Sequence, residues 1–81
     1  MIGCVWHEES GAYRLRPVDW PRGSAVVSLL RGVGGWRRIV WGGPMWPDHG
    51  ETVGTLEDAQ REAVAHARRV GAISERDEVE G

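Results

Sequence analysis

SAVVSLLRGVGGWRRIVW, residues 24–41, decides the fold. Two runs rich in β-branched, leucine and tryptophan residues, 24–31 and 36–41, flank Gly-Val-Gly-Gly at 32–35, where glycine is free to take positive φ. The pattern predicts a β-hairpin. Successive strand residues face opposite sides, so Val27 and Leu29 point one way and Val26 and Leu30 the other. In the second strand Ile39 and Trp41 oppose Trp36 and Val40. Both faces of the hairpin are therefore apolar, whereas a sheet covered on one side normally reads apolar in and polar out.

Working outward, IGCVWH (2–7) and AYRLRP (12–17) flank EESG and predict a second hairpin. PVDWPRG (17–23) and GGPMWPDHG (42–50) are connectors punctuated by proline, and ETVG (51–54) is a short strand feeding a helix. Thr55 is the expected N-cap, with Asp58 at the third helical position. Glu57 and Asp58 suit the positive end of the helix, and Arg68 and Arg69 the negative end. Leu56, Ala59, Ala63, Ala67 and Val70 line one face, and Gly71 is placed to end the helix in a left-handed cap. The expectation is an α+β fold: an antiparallel sheet of four to five strands with one C-terminal helix packed across one face. Residues 1–73 form one domain, and the acidic 74–81 is a disordered tail.

A chain of 81 residues buries only roughly 60–65% of its unfolded surface, so its core is thin and a deep cleft is not expected. The composition, 41% hydrophobic and 27% charged, is that of a globular domain. No apolar run reaches the ~20 residues of a membrane span, and the N-terminus lacks a basic-then-apolar leader, which points to the cytoplasm. The lone cysteine, Cys4, cannot form an internal disulfide. All ten basic residues are arginine, and lysine, asparagine and phenylalanine are absent, the mark of a GC-rich coding sequence. The net charge of −2 is concentrated in the tail; residues 1–73 carry nine arginines against eight acids. Near-neutrality argues against a dedicated nucleic-acid binder, which shows a basic excess.

The chemistry-bearing residues do not assemble into a reaction centre. Cys4 and His7 have the spacing of a zinc half-site, but they face opposite sides of a strand and no second pair exists. Nothing beside Cys4 lowers a thiol pKa or builds an oxyanion hole. Asp48–His49 reads as turn chemistry beside Gly50, and Glu8–Glu9 as a solvated turn. Gly32–Gly35 opens onto a strand, whereas phosphate loops open onto a helix N-terminus. No enzyme activity, metal or cofactor is expected.

Five tryptophans remain to be placed. Trp6 and Trp41 are assigned to the core, Trp20 and Trp46 to the ends of the sheet, and Trp36 to the open face. Tryptophan and arginine are the residue types enriched at energetic centres of interfaces. Trp36, Arg38, Val40 and Leu30, with Met45 and Trp46 at the margin, make the expected partner-binding surface. Arg31, Arg37 and Arg38 are the residues expected to meet phosphates if the hairpin binds DNA instead.

Two resemblances accompany these readings. LLRGVGGWRRIVWGG followed by ETVGTLEDAQREAVAHARR resembles the hairpin–strand–helix layout of the DNA-binding domains of plant ethylene-response factors and of phage integrase arm-binding domains. That likeness implies groove contacts by Arg31, Trp36, Arg37 and Arg38. The succession of an early tryptophan strand, a Tyr-x-Leu strand, a valine-rich strand, a Gly-Gly-Trp strand and a Thr-Leu-Glu-Asp-Ala helix is similar to short hypothetical proteins of phages and mobile elements of GC-rich bacteria. It implies a non-enzymatic binding protein that occupies a partner's surface, as anti-CRISPR inhibitors of nucleic-acid-targeting host complexes do. The expected partner is a protein or a second copy of the chain, with nucleic acid the alternative.

Overall fold

The chain reverses first at Ser10–Gly11, whose φ angles of 53° and 85° are the left-handed pair that a two-residue hairpin turn requires. The Glu8 carboxylate accepts the Gly11 N–H at 2.9 Å and closes that turn. The computed structural model describes residues 2–19, 25–41 and 47–80. Their elements are β1 (Ile2–Glu9), β2 (Ala12–Pro17), β3 (Val27–Gly32), β4 (Gly35–Val40), β5 (Asp48–Val53), α1 (Leu56–Arg69) and β6 (Glu78–Glu80). The fold is α+β: one helix on a six-stranded mixed sheet of order β5-β4-β3-β2-β1-β6, antiparallel except where β6 runs parallel to β1.

Six strands replace the four or five expected, and the sixth comes from the acidic tail. Its composition predicts disorder because it counts charges and not partners. Ser74 donates its N–H to the Asp77 carboxylate at 3.1 Å, and the Arg68 guanidinium donates to the Asp77 carbonyl at 2.8 Å. These bonds turn the chain so that Val79 lies beside Cys4 and packs on the core. β5 is likewise longer than ETVG, taking Asp48, His49 and Gly50 from the expected connector.

The helix follows its sequence signals. Thr55 Oγ1 accepts the Asp58 N–H at 3.2 Å. At the far end Gly71 N–H reaches the Arg68 carbonyl (3.2 Å) and Ala72 N–H the Ala67 carbonyl (2.8 Å), the paired bonds of a Schellman cap. Gly71 takes φ 82°, which glycine adopts without penalty. Ala59, Ala63 and Ala67 are fully buried, so the middle of the helix face carries only methyl groups, with Leu56, Val64 and Val70 packing around them. Beneath lie Leu15, Val27, Leu29 and Val40, all at 0% exposure, with Cys4, Trp6 and Trp36 around them. Burial of each such aliphatic side chain stabilises the fold by about 1.5–3 kcal/mol. Among the described residues no helix is long and apolar enough to cross a membrane.

Candidate interaction surface

Cross-strand register decides which residues share a face. Gly32 pairs with Gly35 across the turn Val33–Gly34, so odd positions of β3 lie opposite even positions of β4: Leu29 with Arg38, Arg31 with Trp36, Val27 with Val40. The helix face therefore holds Trp36, Arg38 and Val40, while Leu30 stands beside Arg37 on the other. The expected surface of Trp36, Arg38, Val40 and Leu30 is thus divided between two faces. Trp36 is 5% exposed, packed edge-on against Tyr13 (centroids 5.7 Å, 77°) and under the Arg31 guanidinium at 4.8 Å. Val40 is fully buried. Met45 and Trp46, like Trp20, lie outside the described residues.

The same parity divides the arginines expected to meet phosphate. Arg31 covers Trp36, and Arg38 folds over β5 against Gly50, where an added Cβ would run into its guanidinium. Only Arg37 lies on the helix-free face. Three arginines on two faces do not make one track along a nucleic-acid backbone.

The helix-free face is organised around Ser28. Its side chain is 1% exposed, and its hydroxyl accepts two donors, Arg14 Nη1 at 2.7 Å and Trp41 Nε1 at 3.1 Å. Arg14 Nε also meets Glu9 Oε1 at 3.2 Å, and Arg16 forks the same carboxylate at 2.5 and 3.2 Å. The Arg16 hydrogen bond, with Arg14 beside it, holds the Glu9 carboxyl below the usual carboxylate range. Ile39 is buried between Ser28 and His49, and Leu30 and Arg37 follow toward the hairpin tip. Trp41 is 38% exposed and belongs to this face, not to the core. Its shared parity with Ile39 was the available signal; a buried hydroxyl to anchor its indole was not readable from sequence.

Other chemistry-bearing residues sit apart. Cys4 is buried on the helix face, opposite in parity to His7, and burial pushes its thiol pKa up. Asp48 and His49 are strand residues facing opposite ways. Asp48 instead meets His66 of the helix, Oδ2 to Nε2 at 2.6 Å, while Arg69 Nη2 lies 3.1 Å from His66 Nδ1. Arginine can only donate, so Nδ1 accepts and Nε2–H donates to Asp48. That hydrogen bond holds the Asp48 carboxyl below its ordinary range. With both ring nitrogens engaged, His66 pins the helix to β5. Among the described residues no group of three His, Cys, Asp or Glu side chains is placed to hold a metal. No protein-family model matches the chain, and comparison with curated proteins and with solved structures finds no match.

Proposed function

We propose that the protein is a non-enzymatic binding module that docks a partner protein on the helix-free face of its sheet and acts by occupying the partner's surface. The observation that carries this reading is Trp41, a partly exposed indole held by Ser28, whose hydroxyl also holds Arg14, on the face that carries Leu30, Ile39 and Arg37. Indole and guanidinium groups dominate binding energy at interfaces. Here hydrogen bonds fix both before contact, so little side-chain freedom is lost on docking. The guanidinium groups of Arg14 and Arg16 are already engaged by Glu9, so a phosphate would compete with an intramolecular carboxylate; this favours protein over nucleic acid. Inhibition of a nucleic-acid-targeting host complex is the narrower form of the proposal and rests on the resemblance in layout alone.

The test is affinity capture from nuclease-treated bacterial lysate with the wild-type chain and Trp41→Ala. One protein should be retained by the wild type and lost, by roughly 30-fold in affinity (about 2 kcal/mol), from the variant. Recovery of nucleic acid alone from untreated lysate, or equal capture by both chains, overturns the reading.

A further inference from the structure

A six-stranded open sheet has two edges. β6 is three residues long and carries Glu78 and Glu80, both of which blunt an edge against pairing. β5 is longer and less protected: Asp48–Val53 runs in unbroken register with β4 and contains no proline, lysine or bulge, and of its two acids Asp48 is held by His66 on the helix side. Among the described residues its outer edge pairs with no strand. His49, Glu51 and Val53 are exposed on the helix-free face, Val53 at 79%, and Asp48, Gly50 and Thr52 lie on the other.

A second copy of β5 placed antiparallel about a two-fold axis normal to the sheet keeps like faces together, so odd positions meet odd positions and even meet even. Two registers then preserve near-complete overlap. With the axis through Glu51, that carboxylate opposes its own copy, a destabilising like-charge pair. With the axis through Gly50, His49 lies opposite Glu51 of the second copy, twice by symmetry. Val53 then lies opposite the exposed Pro47 at each end, Asp48 opposite Thr52 on the helix side, and glycine occupies the axis itself, beneath the Arg38 guanidinium of each copy, whose charge the Asp48 carboxylate of the same copy offsets.

We propose that the chain forms a two-fold homodimer through antiparallel pairing of β5 in the Gly50-centred register, joining two sheets into one. The backbone groups of the edge supply the ladder, and the imidazole–carboxylate and Val–Pro pairs select the register. This association does not use Trp41 and is independent of the docking proposed above.

Sedimentation equilibrium of the full chain tests it. The mean mass should rise from 9.0 kDa toward twice that value with concentration, over roughly 1 µM to 1 mM, the range of small interfaces. His49→Glu opposes carboxylates at two symmetric positions and should raise the dimer dissociation constant about tenfold. His49→Lys places a cation opposite Glu51 at both and should leave the dimer at least as tight; as His49 is exposed, both variants should fold. A monomer throughout that range overturns the proposal. So does a dimer that both variants leave unchanged or weaken equally, since the contact would then lie elsewhere or not depend on charge.

Discussion

Trp36 and Trp41 begin and end one six-residue stretch and lie on opposite faces of the sheet. Trp36 fills a corner between Tyr13, Arg31 and the helix-side core, so truncation leaves a cavity that the surroundings fill only in part. Trp36→Ala should lower stability by about 3–5 kcal/mol, whereas Trp41→Ala should cost only about 1 kcal/mol, the order of one hydrogen bond. Urea denaturation of the two variants checks the contrast, and equal losses would put both indoles in one core. Asp48 makes a second prediction at this scale. Its folded pKa is lowered by the His66 hydrogen bond, so its contribution is complete above the ordinary carboxylate range and disappears as pH falls through the folded value. Asp48→Asn should therefore be less stable than wild type at neutral pH, with the gap closing below about pH 4. Denaturation midpoints measured along that pH range decide it; a constant gap would show that packing, not charge, is what the substitution removes.

Elements differ in how far local chemistry determines them. The helix is written into its own residues: Thr55 caps the start, Gly71 the end, and the alanine stripe gives its face. β6 has no such local signature, since three residues bearing two glutamates do not pattern as a strand. It forms because Arg68 and Ser74 hold Asp77 and turn the chain toward β1. Deleting residues 74–81 should then uncover Cys4, which is 3% exposed with Val79 beside it. Thiol labelling should be slow in the full chain and faster in the truncated one, with a lower melting temperature. Identical labelling would mean that β6 shields nothing.

At the scale of the whole molecule, one helix on a six-stranded sheet leaves a broad face and the β5 edge as separate surfaces. Trp41 and Ser28 organise the face, and His49 and Glu51 lie at the edge. A Trp41→Ala chain should consequently show the wild-type dependence of mass on concentration. Strand parity and the helix with both caps follow from the sequence alone, because each depends on neighbours a few positions apart. The turn at Val33–Gly34 also carried the register of β3 with β4, and with it the separation of Leu30 from Trp36. Which face the helix takes is different. The β3–β4 hairpin is apolar on both sides, and the one-sided strands that break the tie, with Tyr13 and Leu15 against Arg14 and Arg16, join it only across the connector between β2 and β3. No local rule sets a register across so long a connection; tertiary pairing of Leu15 with Val27 did, and it carried Trp36 inward and Trp41 out.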